Sequence, residues 1–174
     1  NSNVFGPLQT LLGVDPRNSG VEQIIVGTGP GSYTGVRISI AIADALALSL
    51  EAKLFGVSSF LGPAGLAEGV QDYAVAGDAR RGQWYCASVK DGQLVTPIES
   101  VDRECFEMAL DEHETLITFD QEAPMASVRI SYPCATRLGE WWFREGNATE
   151  SILPVEPMYL AAPFVTRPKK PGKV

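Results

Sequence analysis

The 174-residue sequence has one histidine, His113, and three cysteines, Cys86, Cys105 and Cys134, none of them in a Cys-x-x-Cys pair. A lone histidine cannot complete a His-x-x-x-His metal pair, and the cysteine spacing suggests neither a zinc cage nor an even-numbered disulfide framework. The thiols are expected to be small buried hydrophobes in a reducing compartment. Positive charge is also scarce, with 14 Lys and Arg against 21 Asp and Glu, a formal net charge of −7. Such a balance repels a polyphosphate backbone, so any RNA would be held mainly by another protein. No run approaches the roughly 20 uninterrupted apolar residues of a membrane span, because the stretch 36–50 carries Arg37, Ser39, Asp44 and Ser49. The opening Asn1-Ser2-Asn3 lacks the basic-then-apolar pattern of a secretory signal. No membrane association and a cytoplasmic location are the expectations.

What the sequence does hold is a core. Apolar residues make up 45% of it, enough for one large domain or two small lobes. Phe5, Leu8, Leu11 and Leu12 recur at helical spacing and Gly13 and Pro16 end that helix. Residues 21–26 read as a buried parallel strand, 27–35 as a glycine-rich turn, 34–50 as an apolar helix and 53–57 as the next strand. Ser58 is placed to cap a helix over 59–68. Residues 73–77 and 83–90 alternate as strands around the turn 78–82, and Asp91-Gly92 predicts a hairpin into a third run over 94–98. Helices are predicted over 105–110 and 135–145, with a strand at 115–119. This order divides the chain into a first α/β lobe, 1–69, and a second lobe, 70–174.

The stretch Gly27-Thr28-Gly29-Pro30-Gly31-Ser32-Tyr33-Thr34-Gly35-Val36-Arg37 is the most informative. A glycine loop that enters a helix can offer backbone N–H groups and the positive end of the helix dipole to an anion. It can equally be a tight turn that lets strand and helix pack closely. A Walker A loop would need Gly-Lys-Ser/Thr where Gly35-Val36-Arg37 stands, and the third glycine of a Rossmann loop is replaced by Ser32. Arg80 and Arg81, following Asp78, either reach an anion in a cleft or decorate a charged hairpin turn. His113, within Asp111-Glu112-His113-Glu114, reads as a solvated loop residue rather than a metal ligand. No Gly-x-Ser-x-Gly elbow is present to make a hydrolase with it. Trp141-Trp142-Phe143 reads as core or lobe packing rather than a base-stacking platform. Arg167, Lys169, Lys170 and Lys173 form the one basic cluster, either a solubilising tail or an RNA-touching arm. Asn147-Ala148-Thr149 matches a glycosylation sequon, which has no meaning without secretion.

Gly29-Pro30-Gly31-Ser32-Tyr33-Thr34-Gly35-Val36-Arg37-Ile38 resembles the Gly-Pro-Gly-Ser-Phe-Thr-Gly-Leu/Val-Arg-Ile signature of the TsaB/YeaZ family. Gly56-Val57-Ser58-Ser59 is similar to a Gly-Val-Ser-Ser/Thr strand end of that family, and Asp78-Ala79-Arg80-Arg81-Gly82-Gln83-Trp84-Tyr85 to its Asp-Ala-Arg-Arg/Met-Gly-Glu-Val-Tyr hairpin. Glu156-Pro157-Met158-Tyr159-Leu160 resembles a Pro-x-Tyr-Leu-Arg ending, with Ala161 where an Arg is usual. The resemblance covers roughly 20–90 and 154–173, and 93–153 matches only in general pattern.

The resemblance implies a two-lobed ribonuclease-H-like fold of the actin-like ATPase type, with the N-terminal strands of the first lobe missing from this chain. It implies an accessory subunit without catalytic residues, metal or cofactor, which supports a TsaD-type enzyme in threonylcarbamoyladenosine modification of tRNA. A TsaE-type ATPase and a second copy of the chain are the other implied partners, with tRNA touched only indirectly. By the same analogy Phe5, Leu8 and Leu12 on the first helix form the partner interface. Ile38, Ile42 and Leu46 on the second helix serve either that interface or their own core. The anion candidates are Gly29, Gly31, Ser32, Thr34, Gly35, Arg37, Asp78, Arg80 and Arg81. The alternative is a small phosphoryl-transfer enzyme that binds ATP between its lobes.

Overall fold

The computed structural model describes residues 4–13, 15–67, 69–80, 82–95, 100–146 and 154–160, and of Arg80 and Ala109 the backbone alone. Helix α1 (Phe5–Leu12) leads through a 3-10 turn (Pro16–Asn18) into strand β1 (Gln23–Gly27). Helix α2 (Tyr33–Leu50) returns the chain to β2 (Lys53–Val57), which lies parallel to β1 with Ile25 opposite Phe55. The strands alternate between two covered faces, as parallel strands require. Ile24, Val26 and Leu54 pack under Ile40, Ala43 and Ala47 of α2. Ile25, Phe55 and Val57 pack on the opposite side against Leu138, Trp141 and Trp142 of α4 (Ala135–Glu145). A helix from late in the chain thus completes the layer begun at its start.

The second sheet holds β3 (Tyr73–Arg80), β4 (Gln83–Lys90), β5 (Gln93–Leu94), β6 (Ser100–Val101), β7 (Leu116–Thr118) and β8 (Arg129–Ile130). β3 and β4 form an antiparallel hairpin, β7 runs parallel to β3, and β8 runs parallel to β7. Tyr73, Val75, Tyr85, Ala87, Val89 and Ile117 point to the face closed by Phe60 and Leu66. Ala74 and Ala76 point to the other, closed by Phe106 and Leu110 of α3 (Arg103–Asp111).

Most elements lie where the sequence puts them, and the departures have local causes. The helix expected over 59–68 is a single 3-10 turn, Ser59–Leu61, capped by Ser58. Pro63 disfavours a helical conformation at Gly62, and the turn stops there. β3 continues to Arg80 through an irregularity between Asp78 and Arg80 and so takes in three residues of the expected turn 78–82. Of the third run, Leu94 pairs with Val89 in β5 and the Val95 amide donates to the Ser88 carbonyl at 3.0 Å, whereas 96–98 lie outside the described residues. Asp91 and Gly92 both have positive φ, 49° and 70°, as a two-residue hairpin turn requires. α2 is, by length and composition, long and apolar enough to cross a membrane, although Arg37 and Asp44 interrupt its apolar run. Its Ala43 and Ala47 are buried on β1 and β2, which makes it a layer of the fold.

Candidate functional site

The turn between β1 and α2 is held from two sides. The Thr28 amide donates to the Val57 carbonyl at 2.8 Å, and the Gly29 amide donates to Ser59 Oγ at 3.1 Å. The Ser59 amide returns a bond to the Gly29 carbonyl at 2.8 Å. From the far end of the chain, the Met158 amide donates to the Thr28 carbonyl at 2.7 Å. Gly29 sits at φ +100°, where a Cβ would stand 2.8 Å from the Met158 carbonyl oxygen. Only glycine fits that close approach.

Residues 154–160 therefore act as a strap. Tyr159 stacks on Tyr33 with ring centroids 4.9 Å apart, and its hydroxyl accepts a 2.6 Å bond from Arg37 Nε. The Arg37 guanidinium lies 4.2 Å over the Tyr33 ring. One residue on, Leu160 packs against the core of the second sheet. The strap ties the first turn of α2 to the second sheet. Three segments singled out in the sequence, 27–37, 56–59 and 156–160, meet at this joint.

Beside the joint lies a cleft of about 580 Å³, lined on one side by Pro30, Gly31, Ser32, Tyr33, Tyr159 and Leu160. Asp78, Ala79, Tyr85, Phe119, Asp120 and Gln121 line the other. Asp120 Oδ2 accepts the Asp78 amide at 2.7 Å. A Cβ on Gly77 would stand 2.5 Å from that oxygen and 2.6 Å from the Tyr85 hydroxyl, so glycine is needed for the three to meet. The Tyr85 hydroxyl is held above the ordinary tyrosine range, first by burial and then by the Asp120 carboxylate. Among the described residues, the charged side chains on the second-sheet wall are Asp78 and Asp120.

Of the nine anion candidates, Gly31, Ser32 and Asp78 line this cleft and Gly29 sits at its joint. Ser32 caps α2, its Oγ accepting the Gly35 amide at 3.3 Å. Thr34 and Gly35 are exposed on the first turn of α2, and Arg37 turns to Tyr159. Arg81 and the Arg80 side chain lie outside the described residues, as do Ala161, 147–149 and the basic cluster 167–173. Asp120 escaped the sequence reading. Its signal was available: the carboxyl end of a buried parallel strand is where α/β folds place site residues, and Asp120 follows β7.

His113 is half-buried, with Nε2 2.8 Å from Ser88 Oγ, not a solvated loop residue. Among the described residues no His, Cys, Asp and Glu group is arranged to hold a metal. Phe143 is 75% exposed, whereas its neighbours Trp141 and Trp142 are core, so the expected aromatic packing holds for two of the three. The cysteines are less uniform than expected: Cys105 is exposed, and Cys86 and Cys134 are half-buried.

Of the interface candidates, Phe5 and Ile38 are 67% and 52% exposed, while Leu8, Leu12, Ile42 and Leu46 are half-buried. The structure adds Leu11 and Leu48, exposed at 80% and 84%. Ala41 and Ala45, both exposed, lie with Ile38 and Leu48 on the side of α2 that faces away from β1.

A family model described as TsaD, tRNA N6-adenosine threonylcarbamoyltransferase, matches residues 12–143. The chain belongs to the TsaB/YeaZ family. It is 43% identical over 70 residues to the tRNA threonylcarbamoyladenosine biosynthesis protein TsaB of Escherichia coli, a match that covers 38% of this chain and 30% of that protein. It is 41% identical over 88 residues to TsaB of Bacillus subtilis, covering 47% and 38%. These matches thus span only about a third of the length of the curated relatives. A solved structure of YeaZ from Pseudomonas aeruginosa superposes with a TM-score of 0.63 at 24% identity, over 91% of this chain and 84% of that one. A second Pseudomonas aeruginosa structure, described as similar to peptidase YEAZ, gives 0.60 over 90% and 81%. The fold is the α/β fold of those structures.

Proposed function

We propose that this chain is an accessory subunit in N6-threonylcarbamoyladenosine modification of tRNA, and that it works by docking on a TsaD-type catalytic subunit through α1 and the outer face of α2. The observation that carries this reading is the apolar surface on those two helices. Phe5, Leu11, Ile38 and Leu48 each leave more than half of their surface in water. Large apolar side chains grouped in water mark contact surfaces, and Ile38 and Leu48 share the outer face of α2. Ala41 and Ala45 between them let a partner helix approach closely. The relatives' role in threonylcarbamoyladenosine biosynthesis supplies the setting. A TsaE-type ATPase and a second copy of the chain are further proposed partners, tRNA is reached through the catalytic subunit, and the location is cytoplasmic.

In this reading the two lobes divide near residue 69, and α4 and the strap cross back onto the first. The loop of Gly29, Gly31, Ser32, Thr34 and Gly35, with Arg37, Asp78, Arg80 and Arg81, keeps its proposed role as an anion cradle, and calorimetry with ATP and with phosphate tests it. The phosphoryl-transfer alternative would gain from hydrolysis of ATP by the purified chain. The docking reading is tested by mixing the chain with its cognate TsaD-type subunit on a sizing column. Co-elution at micromolar concentration supports it, and separate elution removes it.

A further inference from the structure

The cleft beside the joint has a chemistry of its own. Its second-sheet wall carries Asp78 and Asp120, and an adjoining hollow of about 350 Å³ continues the wall past Asp120 to Glu122. The opposite wall is aromatic, with Tyr33 and Tyr159 stacked at its edge. Carboxylates along one side and an apolar wall on the other suit a cationic segment with apolar side chains between its charges.

Such a segment begins at the mouth of the cleft. Leu160 lines the cleft, and residues 161–174 follow it directly. They carry four of the 14 basic residues, Arg167, Lys169, Lys170 and Lys173, and no Asp or Glu. The preceding 160 residues therefore hold 10 basic against 21 acidic residues, a formal charge of −11. The seven steps from Leu160 to Arg167 span roughly 23–25 Å when extended, a reach that suits a short tether beside a wall sharing its cleft with Leu160. Pro163, Pro168 and Pro171 favour extended backbone, which lowers the entropy lost on docking. Phe164 offers an apolar anchor between the strap and the charges. A tether this short holds the cations near the wall at an effective concentration of order millimolar.

We propose that residues 161–174 dock in cis across this acidic cleft, with their lysines paired to Asp120 and Glu122. The cleft is then a seat for the chain's own basic segment, a role independent of docking through α1 and α2.

Zero-length carbodiimide coupling of the full chain, in an equal mixture of isotopically light and heavy copies, tests the proposal. Amide links from Lys169, Lys170 or Lys173 to Asp120 or Glu122, all within one copy, are expected at low salt. Their yield should fall at least about threefold at 0.5 M salt, because screening shortens the reach of exposed charges. In a second measurement, Lys169→Glu with Lys170→Glu should shift the amide resonances of Asp78, Asp120 and Gln121. Links scattered over other carboxylates, links between copies, or unshifted amides at those three positions overturn the proposal in favour of a solubilising or RNA-touching arm.

Discussion

Arg37 and Tyr159 are 122 residues apart in the chain, yet Arg37 Nε donates to the Tyr159 hydroxyl at 2.6 Å, and this bond closes the strap over the start of α2. Tyr33 completes the contact as a ring shared by both, stacked on Tyr159 and covered by the Arg37 guanidinium. Because Tyr33 and Arg37 are exposed, the cluster is expected to contribute modestly, about 0.5–1 kcal/mol for the cation–π contact. Tyr159→Ala should therefore lower the denaturant midpoint by an amount equivalent to about 1–2 kcal/mol, through the lost stacking, hydrogen bond and cation contact together. Tyr159→Phe, which keeps the ring, should cost less than half of that. Equal losses in the two variants would show that the hydroxyl, not the stack, holds the strap.

Gly29→Ala tests the joint itself. The substitution places a methyl group against the Met158 carbonyl and holds a non-glycine residue at φ +100°. A cost of about 1–3 kcal/mol is expected from backbone strain alone. Urea titration measures it, and a variant as stable as the parent would mean that the strap does not press on the loop in solution.

The two neighbouring aromatics of α4 should behave oppositely. Trp142 is 2% exposed, packs on Phe55 at 4.3 Å between centroids, and donates its indole N–H to Gln23 at 3.0 Å. Trp142→Ala should destabilise by about 3–5 kcal/mol. Phe143→Ala should fall within about 0.5 kcal/mol of the parent, as surface changes do. Comparable losses in both would contradict the packing of α4 on β1 and β2.

Thiol reactivity should rank the three cysteines. Cys134 stands at the start of α4, where the backbone amides of Arg137 and Thr136 lower its pKa. The Asp102 side chain raises that of Cys105 through a hydrogen bond and its charge, and burial pushes Cys86 up to about 11. A lowered pKa means more thiolate at neutral pH, so alkylation followed by mass spectrometry between pH 6 and 9, a range set by the roughly 8.5 of a free thiol, should modify Cys134 first and Cys86 last. The Cys134 rate should also reach its plateau at the lowest pH of the three.

Local pattern carried much of this architecture. Residues 53–57 and 135–145 are a strand and a helix within the bounds their sequence patterns define, because a run of pleated apolar residues and an amphipathic period are properties of neighbours. The helix expected after Ser58 failed because Pro63 acts on the residue before it, outweighing the favourable cap. β8 escaped notice because two residues, Arg129 and Ile130, are too short for any periodicity, and their pairing with Ile117 and Thr118 decides their state. The site was half legible. The glycine loop, Ser58-Ser59 and Asp78 could each be picked out, but their meeting with Met158 and Asp120 depends on contacts across 30 to 130 residues that no local pattern reports. Exposure of Leu11 and Leu48, which sharpens the docking surface, likewise follows from which face of each helix the core takes.

Binding of the cognate TsaD-type subunit by the parent and by Ile38→Glu and Leu48→Glu variants, followed by calorimetry, tests the docking claim most directly. Both positions are exposed, so neither change should shift thermal stability by more than about 0.5 kcal/mol. The parent is expected to bind at micromolar affinity or better, and each variant to lose at least about tenfold, or 1.4 kcal/mol, from a charge placed in an apolar contact. Undiminished binding by both folded variants would contradict docking through α2.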